Sequence, residues 1–300
     1  MKKGKIICIE GGFSRVDIEN EIFLCDLRRR LIGPRSEIQT QISVGDEVSI
    51  EIVENNHGVI TQLHPRRNKL SRLSPGFNRA EDIIVANIDL QLIVVSVREP
   101  KLNTGLLNRF LVIGEKEKIS SVICVNKIDL IKNSDDIQDV NNYKKLGYPV
   151  YFTSAIQNNG IEELKIILKG KTTVFIGASG VGKSSLLNSL QPELNLRTRE
   201  VSATTSKGRH TTTTPSLLKW DFGGYVVDTP GLRELGLWNI SKKEVGSLFP
   251  EIFSLQDKCK FRNCVHIHEP GCAIINALES GIIDQQRYKS YKLIYQSLEE

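Results

Sequence analysis

Three hundred residues, 40% hydrophobic and 25% charged, suffice for two or three domains with real cores. No apolar run approaches the ~20 residues that span a bilayer, and Glu10 and Asp17 interrupt the stretch where a secretory segment would be apolar. A cytosolic chain is therefore expected, rather than a membrane-spanning or secreted one, while a net charge of +5 permits an anionic partner.

Residues 1–67 carry short runs rich in Ile and Val, namely KIICIE, RVDIE, EIFLCDL, DEVSIEIVE and HGVITQLH. Turn signals at Gly11-Gly12, Gly33-Pro34, Gly45-Asp46 and Asn55-Asn56 separate them. The pattern predicts a small all-β barrel. An OB-type barrel fits the size, an SH3-like barrel fits almost as well, and OB-type barrels often bind oligonucleotides. Two basic clusters accompany it: Arg28, Arg29, Arg30 and Arg35, then Arg66, Arg67, Lys69 and Arg72. Each is read either as a phosphate contact or as a solvated loop. Residues 68–80 are read as a polar connector.

The pattern then changes. Wholly apolar runs, IIVANID, LQLIVVSV, SVICVNK, PVYFTSA and TTVFIG, alternate with helical stretches such as NTGLLNRFLVIGEKE. Strands apolar throughout and separated by helices predict a parallel α/β sheet covered on both faces. The third run ends in Asn126-Lys127-Ile128-Asp129. A carboxylate at Asp129 can accept from both N1–H and the 2-amino group of guanine, a donor pair that adenine lacks. Asn126 would steady this loop and the Lys127 stem would cover the base. The next strand ends in Thr153-Ser154-Ala155, where the Ala155 N–H can donate to guanine O6.

TTVFIGASGVGKSSLLNSL has the strand, Gly-rich loop and helix order of a P-loop. Gly177, Gly180 and Gly182 let backbone N–H groups converge on phosphate oxygens, with Ala178, Ser179 and Val181 completing the loop. The helix beginning near Lys183, with Ser184 and Ser185 in its first turn, adds its positive end. Lys183 supplies a charge for the β- and γ-phosphates, and Ser184 can ligate Mg²⁺. Downstream, YVVDTPGL ends a strand at Asp228, which can reach Mg²⁺ through water, and Gly231 can offer its N–H to the γ-phosphate. Between them lies SKGRHTTTTPS. One threonine of such a loop ligates Mg²⁺; Thr212 is chosen by likeness to loops of the GTTR type, with Thr211 and Thr213 as alternatives. The base loops precede the phosphate loop, the reverse of the usual order. A parallel sheet tolerates this if the old end is joined to the old beginning, and GIEELKIILKGK supplies the join. The domain is therefore read as circularly permuted.

After residue 238 the chain becomes helix-rich. Cys259, Cys264, His266 and Cys272 supply three thiolates and an imidazole, a closed tetrahedral set suited to structural Zn²⁺. His268 is the competing imidazole. Lys258, Lys260 and Arg262 surround the knot and are read either as RNA phosphate contacts or as solvated side chains.

NKID, TSA, GASGVGKS, GRHTTT and DTPG in this order, behind a small barrel and before a Cys/His knot, resemble the RsgA (YjeQ/YloQ) family of circularly permuted bacterial GTPases. The resemblance covers essentially the whole chain. It implies an OB-fold over 1–67, a permuted GTPase domain over 68–238 and a helical zinc domain over 239–300. It also implies GTP hydrolysis in late assembly of the small ribosomal subunit, stimulated by that subunit, with rRNA as partner and GTP, GDP, Mg²⁺ and one Zn²⁺ bound. A monomer is expected, with the oligomeric state left open by the sequence. Where many G proteins have a water-orienting glutamine this chain has Leu232, as the family does, so His210 is the nearest candidate to place the attacking water beside Lys183 and Thr212. Two competing readings are a GTP-dependent binding switch with incidental hydrolysis and an RNA-binding module with a vestigial nucleotide fold. Lys183, Ser184 and Asp129 speak against the last.

Overall fold

The computed structural model describes residues 1–28, 42–54, 56–73, 81–194, 215–228, 237 and 239–298. His210, Thr211, Thr212, Thr213, Gly231 and Leu232, with Arg29, Arg30 and Arg35 of the first basic cluster, lie outside the described residues. Packing divides the chain into two units. One comprises Met1–Gln91, Glu162–Phe175 and Leu187–Gly236; the other comprises Leu92–Ile161, Ile176–Leu186 and Leu237–Glu300.

In the first unit, β1 (Lys2–Glu10), β2 (Phe13–Ile18), β3 (Glu21–Leu27), β4 (Glu47–Glu54) and β5 (His57–Leu63) form the barrel. Antiparallel pairs β1–β2 and β2–β3 lead to a parallel β3–β5 pair and an antiparallel β5–β4 pair. The β4–β1 ladder closes the ring. This closed five-stranded order is that of an OB-type barrel. Alternation along the strands turns Ile6, Val16, Ile18, Phe23, Cys25, Val48, Ile50 and Ile60 inward to a single core.

A two-stranded ladder follows, β6 (Lys69–Leu73) against β7 (Glu81–Ala86). Here the second basic cluster is neutralised internally. Arg66 meets the fully buried Asp46 at 2.6 Å, Arg67 meets Asp89 at 2.9 Å, Lys69 meets Glu81 at 2.6 Å and Arg72 meets Asp82 at 3.0 Å. This cluster is therefore a set of ion pairs and does not form a bare positive patch.

The same unit holds the strands that deliver the phosphate motifs. β11 (Thr172–Ile176) pairs in parallel with β13 (Tyr225–Asp228), which pairs antiparallel with β12 (Ser216–Lys219). The helix α3 (Ile161–Leu168) and the turn at Gly170 lead into β11, the join that a permuted domain requires.

The second unit is built on β8 (Leu90–Ser96), β9 (Ser120–Asn126) and β10 (Val150–Phe152), in the order β10-β9-β8. β8 is buried throughout and β9 after its first residue, as expected of strands covered on both faces. Helix α1 (Thr104–Glu117) starts at Asn103, whose side chain accepts from the Leu106 N–H at 2.9 Å. It buries Leu107, Phe110 and Leu111. Helix α2 spans Gln138–Lys145. Helix α4 (Lys183–Leu190) follows the Gly-rich loop. The C-terminal part carries α5 (Pro250–Phe253), α6 (Ala273–Glu279) and α7 (Gln285–Ser297). Their core of Val245, Phe249, Ile252, Ile274, Tyr288, Tyr291 and Ile294 also includes Val112 of α1. Among the described residues no helix is long and apolar enough to cross a membrane.

Candidate functional site

The base loop follows directly from the end of β9. Asn126 is 1% exposed, and Lys127 takes a left-handed backbone, φ 63°, that turns the chain into the short 3-10 helix Ile128–Leu130. The Asn126 side chain does three things at once. Its Nδ2 donates to the carbonyl of Val181, in the Gly-rich loop, at 3.0 Å. Its Oδ1 accepts from the Thr153 hydroxyl at 3.2 Å and from the Ala155 N–H at 3.3 Å. Two loops and the base motif, separated by more than fifty residues of chain, are thus tied by one amide. The Ser154 hydroxyl donates to Asp129 Oδ1 at 2.5 Å, which orients the carboxylate, and Ser154 itself is fully buried. Lys127 extends to donate to the Glu99 carbonyl.

The Gly-rich loop leaves β11 at Gly177. A Cβ there would lie 2.1 Å from the carbonyl oxygen of Val94 in β8, and one at Gly182 would lie 2.4 Å from Asn126 Nδ2. Both positions also have positive φ, 148° and 93°. Only glycine lets the loop run this close to its neighbours. Ser179 and Gly180 form an exposed crest, whereas Val181 is buried beneath it. Lys183, the first residue of α4, folds back so that its Nζ donates to the carbonyls of Gly177 and Ala178 at 2.8 and 2.7 Å. Ser184 and Ser185 lie in the first turn of α4, where the positive end of the helix dipole favours an anion.

In the other unit, Asp228 is the last residue of β13, with an exposed side chain. Partial desolvation by the surrounding chain raises its carboxyl pKa above the ordinary value, a shift that a nearby cation would reverse. A carboxylate at a strand end and a serine hydroxyl are hard oxygen donors of the kind Mg²⁺ takes.

The Cys/His knot forms as spacing suggests. The ligand atoms of Cys259, Cys264, His266 and Cys272 all lie within 4.8 Å of one another. His266 Nδ1 is 3.5 Å from both Cys259 Sγ and Cys272 Sγ, and these two sulfurs are 4.0 Å apart. Tetrahedral zinc bonds of the usual lengths give edges of about 3.6 Å for N–S and about 3.8 Å for S–S. The donor set therefore fits a closed tetrahedral ion such as zinc. His268 is exposed and is not among the four clustered donors. Burial and the neighbouring thiols push Cys264 up to about 12, and burial holds the His266 imidazole below its ordinary value. A divalent ion would draw the thiols to thiolates.

Several residues that hold this knot escaped the sequence reading. His266 has φ 59°, unusual for a residue with a Cβ. Tyr288 and Tyr291 of α7 donate to the carbonyls of His266 and Val265, each at 2.7 Å. Glu269 accepts from the N–H groups of Val265, Ile267 and His268 at 2.7, 3.0 and 3.1 Å. Burial acts to raise the Glu269 pKa, but the backbone donors outweigh it and hold the carboxyl at about 2. Helix α7 is in turn fixed by Asn108, a fully buried residue of α1. Asn108 donates to Ser290 Oγ at 2.7 Å and accepts from Arg287 at 2.8 Å and Tyr143 at 2.9 Å. Arg287, 2% exposed, forms a two-pronged pair with Glu251 at 2.7 and 3.0 Å. A hint existed in the tyrosines three apart on one helix face, but nothing in the sequence said what they face.

Comparison with known proteins agrees with this geometry. The RsgA GTPase family model matches residues 63–238. The small ribosomal subunit biogenesis GTPase RsgA of Caldanaerobacter subterraneus is 39% identical over 298 residues, covering 99% of this chain and 96% of that protein. The protein of the same name from Moorella thermoacetica is 41% identical over 290 residues, covering 96% and 94%. Among solved structures, YjeQ from Thermotoga maritima superimposes with a TM-score of 0.80 at 37% identity, covering 99% of this chain and 98% of that one. YloQ, described as a circularly permuted GTPase, gives a TM-score of 0.78 at 33% identity over 99% and 94%. The chain belongs to the RsgA GTPase family.

Proposed function

We propose that this chain hydrolyses GTP in late maturation of the small (30S) ribosomal subunit, and that the subunit stimulates the reaction. The observation that carries the nucleotide half of this reading is Asn126, bonded at once to the phosphate loop through Val181 and to the second base loop through Ala155. That contact draws the guanine-reading Asp129 and the phosphate-binding loop of 177–184 into one site despite their reversed order. The names of the relatives support the ribosomal half.

In this reading Asp129, oriented by Ser154, accepts from the guanine N1–H and 2-amino groups, and Lys127 covers the base. The Ala155 N–H exchanges its long bond to Asn126 for guanine O6. Loop N–H groups of 177–182 and the Lys183 ammonium stabilise charge on the transferring phosphoryl group. Ser184, Asp228 and Thr212 are the residues that would hold Mg²⁺, which neutralises the β- and γ-phosphates when bound. Gly231 offers its N–H to the γ-phosphate and His210 positions the attacking water, Leu232 being unable to do so. The four-donor knot would hold a structural zinc with no open position for catalysis. The barrel and the knot contact rRNA, and the chain works as a cytoplasmic monomer.

GTP turnover measured with isolated small subunits, large subunits and neither tests the reading. Stimulation by small subunits alone is expected; equal rates in all three would overturn it. Asp129→Asn tests the base contact separately. It should weaken GTP by on the order of a hundredfold or more, because a charge-assisted pair of bonds is lost. Xanthosine triphosphate, whose 2-oxo group can accept from the new amide, should bind better than GTP.

A further inference from the structure

The barrel joins the strands of its own unit by two kinds of contact. The first is backbone pairing. Cys8 of β1 is the register partner of Ser216 in β12, and Ser216 is the partner of Asp228 in β13. A single backbone rung thus runs from a barrel strand to Asp228, the last residue of β13.

The second is a polar cluster around one buried carboxylate. Asp17 of β2 is 7% exposed. It accepts from the Tyr225 hydroxyl at 2.8 Å, from Lys219 Nζ at 3.1 Å and from the Asn20 N–H at 3.0 Å. Lys219 also donates to Asn20 Oδ1. Nearby, Lys5 of β1 donates to Thr172 Oγ1 at 2.8 Å and sits 5.4 Å from the centre of the Tyr225 ring. Burial lowers the Lys5 pKa, which marks the junction as poorly solvated.

The partners are placed with consequence. Thr172 opens β11, whose other end becomes the Gly-rich loop. Tyr225 opens β13, whose other end is Asp228, about 10 Å further along one extended strand. Lys219 closes β12, which begins at Ser216. An apolar interface would tolerate sliding of the barrel along these strands. Directional bonds to a desolvated carboxylate do not, since a slip would leave the charge buried and unpaired. Barrel and strands therefore move together or the cluster breaks.

We infer that Asp17, with Tyr225 and Lys219, is a positioning device through which the docked barrel sets Asp228, so that occupancy of the barrel by the small subunit raises GTP turnover. The inference rests on the reading of the chain as a subunit-stimulated GTPase. Lys219 and Tyr225 are register partners at one end of the β12–β13 ladder and Ser216 and Asp228 at the other, so the three residues act on Asp228 along these two strands.

The test uses the full chain, isolated small subunits and the variants Asp17→Asn and Tyr225→Phe. Turnover is measured across subunit concentrations. For Asp17→Asn, maximal stimulated turnover should fall about tenfold, the scale of one charge-assisted hydrogen bond. Basal turnover and the half-saturating subunit concentration should stay within about twofold of the unmodified chain. Tyr225→Phe, which keeps the ring beside Lys5, should show the same split with a smaller drop. Unchanged stimulation in both variants overturns the inference alone. So does a proportional loss of basal and stimulated turnover, which marks a merely structural contact, or a change confined to the half-saturating concentration. If Asp17→Asn does not fold, Tyr225→Phe decides by the same criteria. An unmodified chain that small subunits fail to stimulate overturns the functional reading, and the inference with it.

Discussion

The Gly-rich loop and the Cys/His knot solve one problem in opposite ways. Each holds a stretch of backbone in a left-handed conformation. The loop of 177–184 does so with glycines and its own backbone: positive φ at Gly177, Gly180 and Gly182, and Lys183 curled onto the carbonyls of Gly177 and Ala178. The knot puts a histidine in the left-handed region at His266 and holds it with side chains from elsewhere, Tyr288, Tyr291 and Glu269. Local geometry writes itself into a contiguous motif. Geometry imposed from a distance does not.

The largest break of this comparison is expected at Gly182. Gly182→Val places side-chain atoms against Asn126 Nδ2 and forces a φ of 93° on a β-branched residue. GTP affinity should fall by on the order of a hundredfold or more, about 3 kcal/mol, with the knot intact. Nucleotide titration alongside metal content checks both halves.

Next is Asn108, remote in sequence from the knot yet the anchor of α7. Asn108→Ala leaves Arg287, Tyr143 and Ser290 each short of a partner in a buried setting. A loss of about 2–4 kcal/mol in unfolding free energy is expected, together with faster metal release to a chelator. Unchanged release would show that the knot stands without α7.

Glu269 sharpens the contrast through pH. Its folded pKa of about 2 lies below its ordinary value of 4.5. The carboxylate is therefore favoured in the folded state. Its stabilisation is fully present above about 4.5 and is lost as pH falls towards about 2. Glu269→Gln should lower stability at pH 7 and flatten that limb of the stability profile, measured by denaturant unfolding at a series of pH values.

The smallest effect is expected from Tyr288→Phe, which deletes one hydrogen bond to the His266 carbonyl while keeping the ring in the core. About 1 kcal/mol and a few-fold faster metal release should follow, with GTP affinity unchanged.

Much of the fold could be read directly. The short Ile- and Val-rich runs that made residues 1–67 a barrel correspond to β1 to β5, although choosing the OB order over an SH3-like one needed the parallel β3–β5 pair. The basic run Arg66, Arg67, Lys69 and Arg72 could not be judged from sequence, because its carboxylate partners Asp46, Glu81, Asp82 and Asp89 approach only when the strands pair. In the knot, spacing and resemblance favoured His266 over its rival His268, and His266 is the one among the clustered donors. The left-handed turn at His266, pinned by α7, distinguishes them.

What the sequence determined alone was the inventory of local chemistry: a Gly-rich turn before a helix, a carboxylate loop after a buried strand, three thiols and an imidazole at ligand spacing. These are readable because backbone sterics and short-range hydrogen bonding act over a few residues. The tertiary structure alone decided which distant groups meet: Asn126 with Val181, Asn108 with Arg287, Asp17 with Tyr225. Each is a directional bond made by a buried side chain, and burial is a property of the packed whole that no neighbouring residue announces.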